Sequence, residues 1–588
     1  MNQEWSLDVL YKGYDDPEFI RDMELIPDKI EEYASVVAAL GEGDVKEQLV
    51  SLLKAEEEFE TFFVRLDVFL SLKQSVDGND EQAANGVARL MDALGKVKKY
   101  EAAAERFVSS IADLPALIDS DDFLREYRYR LMHTKEEAAH LLDDGAEDVL
   151  ARMDVSAGQA WGNLQSYLTS TVEVDWQGGK TNLSHIRNLA YDGDGNIRRQ
   201  AYEAELAAYP KVEASVAFAL NNIKSQANTV AELRGYDSVL DMTLHQSRMS
   251  RQTLDALMDS VQRFLPRFRQ YLRAKGRALG HENGLPWYDL FAPMGEGGRD
   301  FTLEEAKEYL VSHFRPFAAD MADMIEEAFD QAWIDFYPRP GKEGGAFCAG
   351  YPIFGQSFIL TNFGGKLGDV VTLAHELGHA YHNRCLEGNR PLNTMDYPMP
   401  VAETASTFNE TVIMSAAIAE ADEKEKLALL DSRLSDLTQS ICDIYSRYLF
   451  ESEVVERRKS SFLFPARLKE IMLDAQRQSY GDGLDSEVLH PYMWVCKSHY
   501  YSASLNFYNF PYAFGALFAL GLYAQYKEVG DAFVPKYRAL LRATTTASVE
   551  DVAKTAGIDL TQTEFWDKSL AMIGEDIDTF ISLAEQKG

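Results

Sequence analysis

The chain has 588 residues, 46% hydrophobic and 26% charged, the balance of a soluble globular protein large enough for two or more domains. Acidic residues outnumber basic ones 94 to 58, a formal charge of −36, so the surface repels nucleic-acid phosphates and anionic membranes, and neither is expected as a partner. Four scattered cysteines, an N-terminus without a basic start and apolar run, and no stretch of about 18–20 apolar residues point to a reducing, cytoplasmic setting. Nothing in the sequence indicates an oligomeric state. From about Asp28 to Arg152, apolar residues recur at three- and four-residue spacing with acids and lysines between them, which predicts helices. Breaks at Gly41, Gly78 and Pro115 predict that these helices pack antiparallel through short loops.

The first strand-like signal is STVEVDW, Ser170 to Trp176, followed by Gly178 and Gly179, and it predicts a hairpin. Thr302 and Glu305 form a capping box ahead of AKEYLVSHF. Between Pro338 and Gly368, prolines, glycines and the apolar runs GGAFCAGYPIF and SFILTNF predict a small sheet in an otherwise helical protein. Helix resumes at Asp369, which is expected as its N-cap, and dominates to the C-terminus. The expected organisation is an N-terminal helical domain over 1–190 and a catalytic domain over 191–588.

The chemistry is concentrated in GDVVTLAHELGHAYHNRC. His375 and His379 stand four residues apart, so both imidazoles leave one helix face about one turn apart and can reach one metal ion. Glu376 lies roughly 100° around the helix, placed to act as a base toward water without becoming a ligand. This is the HExxH arrangement of zinc peptidases. Chance pairs of surface histidines occur on amphipathic helices, but this segment is apolar through Val370, Leu373, Ala374, Leu377 and Ala380. Buried imidazoles beside a carboxylate need partners.

A third ligand is needed. His382 is about 10 Å along the axis from His375, too far to share the ion comfortably, and reads as a core or supporting histidine. In PVAETASTFNETVIMS, Glu403 and Glu410 are seven residues apart and share a face of a second helix. Glu403 is the candidate ligand, and Glu410 a candidate to orient a histidine from behind. Spacing alone leaves open two solvated glutamates on an outer face.

HELGHAYH followed by ETASTFNE resembles the thimet oligopeptidase and neurolysin group of metallopeptidases, and more closely bacterial oligoendopeptidase F. WSLDVLY, QAYEAEL, RGYDSVLD, LPWYDLFAP, GKEGGAF, SFILTNFGG and SHYYSASLNFYNFPYAFG add to the likeness, which covers most of the chain and is weakest over the first 150 residues. The resemblance implies one zinc ion with Glu403 as third ligand, and a mainly α, zincin-type helical bowl with a deep channel. It also implies a small β-sheet beside the active-site helix, whose substrate edge strand would fall around Ser357 to Phe363. Short unfolded peptides would be cut at internal bonds. The family grips the scissile carbonyl with a late histidine and tyrosines, here His499, Tyr508 and Tyr512. The sequence departs from the family pattern F-Y-x-Y-x-Y with Phe510 in the middle tyrosine position and extra residues after His499. Tyr500, Tyr501, Tyr508 and Tyr512 can also be read as aromatic core. Two other readings are a metallocarboxypeptidase on a similar scaffold and a non-catalytic peptide-binding protein. Asp192, Asp194, Asn196 and Glu203 match calcium-loop positions, but Ile197 stands where glycine is required. The family has a similar turn entering a helix here, so capping is expected.

Overall fold

Helix dominates, as the apolar spacing predicts, in the computed structural model, which describes residues 2–295 and 299–587. The first helix, Pro17–Ala38, begins eleven residues before Asp28. The Asp16 carboxylate accepts the Glu18 N–H at 2.9 Å, and Pro17 occupies the first helical position, where no N–H is needed. Pro27 lies inside this helix. Val45–Val76 and Glu81–Ser110 follow, capped by Asp44 and Asp80, with the predicted breaks at Gly41 and Gly78 between the three helices. The next break comes before Pro115, which sits in the first turn of Leu114–Asp119. Leu49, Leu53, Phe69, Leu90 and Val97 form the buried seam of these helices.

The chain divides into two compact units, each assembled from three segments. One comprises Met1–Leu141, Arg299–Ile413 and Val529–Ala556; the other comprises Leu142–Gly298, Met414–Glu528 and Gly557–Gly588. Residue 190, the expected domain boundary, lies inside the second unit, and the units themselves arise from packing between segments far apart in the chain.

The predicted hairpin is present in the second unit. Strand β1, Val174–Trp176, pairs antiparallel with β2, Gly179–Thr181, across Gln177 and Gly178, whose φ values of 49° and 81° suit a tight hairpin turn. The first unit holds a three-stranded sheet of β3 (Ile334–Asp335), β4 (Phe347–Gly350) and β5 (Ser357–Leu360). Strand β5 is central, parallel to β3 and antiparallel to β4, with Phe347 opposite Leu360 and Gly350 opposite Ser357. This corrects the edge-strand expectation. Residues 357–360 have neighbours on both sides, so the free edge toward the motif helix belongs to β4, and β5 is buried at every position.

The capping box forms as predicted, with Thr302 Oγ1 accepting the Glu305 N–H at 3.2 Å and Glu305 accepting the Thr302 N–H at 2.8 Å. Asp194 caps the helix Gly195–Ala208 by accepting the Asn196 N–H at 2.8 Å, the capping role expected of the DGDG turn. All four cysteines are free thiols. Among the described residues no helix is long and apolar enough to cross a membrane.

Candidate active site

The motif helix runs from Leu367 to Cys385 in the first unit. Asp369 is not its N-cap. It stands at the third helical position and reaches back, accepting the N–H groups of Lys366 at 2.9 Å and Gly364 at 3.0 Å, so the helix begins three residues earlier than expected. Val370, Leu373, Ala374, Leu377 and Ala380 are buried along it. Gly378 lies against a second helix, Thr404–Glu420: a Cβ there would sit 2.6 Å from the Ala405 carbonyl oxygen and from Ser406 Cα. Asn409 Nδ2 donates to the Ala374 carbonyl at 3.0 Å and fixes the approach. Glycine is therefore what brings the two helices within ligand distance of each other. Gly378→Ala is expected to push them apart, lowering stability by about 1–3 kcal/mol and reducing metal content, as thermal denaturation and metal analysis would read.

Glu403 sits at a break between Met399–Ala402 and Thr404–Glu420, and not within one continuous helix with Glu410. The break turns its side chain toward the motif helix. Glu403 Oε2 lies 3.3 Å from His375 Nε2 and 3.3 Å from His379 Nε2. A tetrahedral ion bound at about 2.0–2.1 Å requires donor atoms about 3.3–3.4 Å apart, so the donor set fits such an ion. The Glu376 carboxylate lies within 4.8 Å of the imidazole nitrogens.

Two further groups hold these donors. The Nδ1–H of His375 donates to Glu410 Oε1, which directs the Nε2 lone pair toward the ligand cluster. Ser406 Oγ donates to Glu403 Oε2 at 2.6 Å. Sequence reasoning missed Ser406, although its place three residues after Glu403, at a helix start, was the available signal. Burial opposes a charge on His375, but the carboxylates of Glu403 and then Glu410 overcome it and push the pKa up to about 10. Burial likewise opposes ionisation of Glu403, and hydrogen bonds from His375 and His379 hold it well below the usual carboxylate range. Burial raises Glu376 above its ordinary value, with His375 and His379 opposing. Cys348, on β4, is pushed up by burial and then by the charge of Glu376, which makes it an inert thiol beside the site. At Gly350 on the same strand a Cβ would fall 1.7 Å from Asn383 Nδ2 of the motif helix, so a larger residue there would displace the Asn383 side chain. His382 is not a ligand: its Nε2 pairs with Thr544 Oγ1 at 2.8 Å, and its ring stacks on Tyr397.

The family model described as peptidase family M3 matches residues 188–572, well over half of the chain. The chain belongs to peptidase family M3. A second family model, described as Oligopeptidase F, matches residues 110–173. Oligopeptidase PepF of Bacillus subtilis (strain 168) is 25% identical over 465 residues, covering 77% of this chain and 68% of its own length. Two solved structures share the fold. A chain from Chlamydophila abortus has a TM-score of 0.85 at 21% identity, covering 99% of this chain and 98% of its own. Oligoendopeptidase-F from Enterococcus faecium has 0.69 at 20%, covering 97% and 99%.

In the second unit of this M3 peptidase, His499, Tyr508 and Tyr512 come together. The His499 ring stacks on Tyr512 with centroids 5.8 Å apart and meets Tyr508 edge-on at 4.9 Å. Burial, then the nearby cations Arg447 and Lys497, lower the His499 pKa, so the ring is neutral at pH 7. Its Nδ1 is buried without a hydrogen-bond partner among the described residues. Tyr512 is 42% exposed and Tyr508 half-buried. By contrast Tyr500 and Tyr501 are core: Tyr500 packs on Phe450, and the Tyr501 hydroxyl donates to the Trp494 carbonyl at 2.7 Å. Phe510 is fully buried at the start of the helix Phe510–Val529, so the middle position of the aromatic pattern serves packing here.

Proposed function

We propose that this chain is a zinc-dependent endopeptidase that hydrolyses internal bonds of short unfolded peptides in the cytoplasm, where its cysteines stay reduced. The observation that carries the reading is the triangle of His375, His379 and Glu403 donors, with Glu376 beside it. The family membership supports peptide hydrolysis, and relatives named oligopeptidase and oligoendopeptidase support short substrates. His375 Nε2, His379 Nε2 and Glu403 Oε2 would hold the zinc, which supplies Lewis-acid polarisation of the scissile carbonyl and acidifies water. Glu376 takes the proton from the attacking water and returns it to the departing amine nitrogen. His499, through Nε2–H, and the hydroxyls of Tyr508 and Tyr512 donate to the carbonyl oxygen as negative charge develops on it. The free edge of β4 receives the peptide backbone as an added strand.

The test is cleavage of an internally quenched peptide by the purified protein, with chelator and after zinc is restored. Turnover should vanish with chelation and return with zinc; turnover that survives complete metal removal defeats the reading. Amidating the peptide's C-terminus should leave cleavage intact, whereas a carboxypeptidase would lose its substrate.

Because Glu410 fixes the His375 ring, Glu410→Gln is expected to weaken zinc binding about 10–100-fold, read by competition with a chromophoric chelator.

A further inference from the structure

Tyr508 lies in an irregular segment, residues 501–509, anchored by a buried charge pair. Lys224, from the helix Glu213–Leu233, and Glu451, from Ile444–Arg458, have side chains 0% and 1% exposed and meet at 2.6 Å. Neither charge stops at its partner. Glu451 Oε1 also accepts the Phe507 N–H at 3.0 Å, and Oε2 accepts Asn509 Nδ2–H at 2.8 Å. Lys224 Nζ also donates to Asn506 Oδ1 at 2.9 Å. The pair thus holds the chain at 506, 507 and 509, on both sides of Tyr508. Phe507 has φ 51°, the left-handed region that a bulky side chain avoids, and Asn509 N–H donates to the Phe507 carbonyl at 2.6 Å across the turn.

A buried ion pair is a poor source of stability, because apolar residues of similar size do as well or better. What this pair supplies is conformation. It satisfies three groups of one loop and keeps a turn that the local sequence disfavours.

We propose that Glu451 and Lys224, acting through Asn506 and Asn509, are positioning residues that aim the Tyr508 hydroxyl at the substrate carbonyl. The proposal rests on the reading of Tyr508 as a hydrogen-bond donor in peptide hydrolysis. Asn509→Ala cuts the tether to Glu451 together with the bond from the Phe510 N–H to Asn509 Oδ1, and leaves no buried charge unpaired, and Lys224→Met with Glu451→Gln removes both charges together. In the zinc-loaded enzyme each is expected to lower kcat about 100-fold, with KM little changed and zinc content full. Should the charge-free variant fail to fold, Asn509→Ala decides alone.

A double-mutant cycle separates positioning from general damage. Combined with Tyr508→Phe, Asn509→Ala should add no further loss, because the hydroxyl it positions is gone. Losses that multiply overturn the proposal while leaving the role of Tyr508 standing; full activity of Tyr508→Phe overturns that role and the proposal with it. A readout independent of turnover is chymotrypsin cleavage after Phe507 or Tyr508 in chelator-treated protein. Asn509→Ala should speed it, and an unchanged rate overturns the proposal.

Discussion

Glu376→Gln is expected to abolish peptide cleavage while zinc stays at full occupancy and the fold remains at least as stable. Glu376 projects from the motif helix between the two histidines, within 4.8 Å of their nitrogens, yet it is 5% exposed and accepts no hydrogen bond among the described residues. A carboxylate so placed has been desolvated without receiving donors in exchange, which is why its pKa rises. Such a group destabilises the fold but is suited to accept a proton from water. Gln keeps the shape and removes both the charge and the basicity. A general base contributes roughly 100- to 10,000-fold, so kcat should fall by about 1,000-fold, or ~4 kcal/mol of barrier. In chelator-treated protein the melting temperature should hold or rise, because a desolvated carboxylate without a hydrogen-bond donor is replaced by a neutral side chain. Retained turnover would remove Glu376 from the chemistry. A lower melting temperature of the chelator-treated variant would show that the carboxylate is structurally supported after all.

The candidate site was legible where its logic is local. His375, Glu376 and His379 follow from helical periodicity, whereas the seven-residue interval only nominates Glu403 and Glu410, and the resemblance is what singles out Glu403 as a ligand. What that interval conceals is the break at Glu403, next to the place where Gly378 of the motif helix packs against Ala405 and Ser406. Strand order was equally hidden. The runs that became β4 and β5 are visible in the sequence, but β3 is only two residues long, and its parallel pairing makes β5 central. The segment before Asp28 was not read as helix, and its helix is held, with Pro27 inside it, by the packing of Phe19, Ile26 and Tyr33 in the buried core. The Lys224–Glu451 pair joins residues 227 positions apart, and no periodicity or motif announces such a pairing. The division into two three-segment units is illegible for the same reason.

Replacing Glu403 by Ala is expected to strip the zinc. Two imidazoles remain, and His382 lies outside the group of donors that converge with them, its Nε2 paired with Thr544. Affinity should drop by more than about 100-fold, beyond the loss expected for the supporting Glu410, and activity should follow metal content. The same carboxylate sets a pH dependence. In chelator-treated protein, Glu403 and Glu410 raise the His375 pKa from its ordinary 6.5 to about 10. That raised value stabilises the fold fully below about 6.5, and the contribution is lost as pH climbs through about 10. Zinc must displace this proton, so its apparent affinity should rise about tenfold per pH unit over that window and level off above it. In Glu403→Ala the His375 proton is held less tightly, so affinity is weaker everywhere but should level off at a lower pH. Chelator competition at several pH values in both proteins reads the two effects together. Full zinc occupancy in the Ala variant, or a plateau that does not move, would mean that Glu403 neither binds the metal nor holds the proton that the metal replaces.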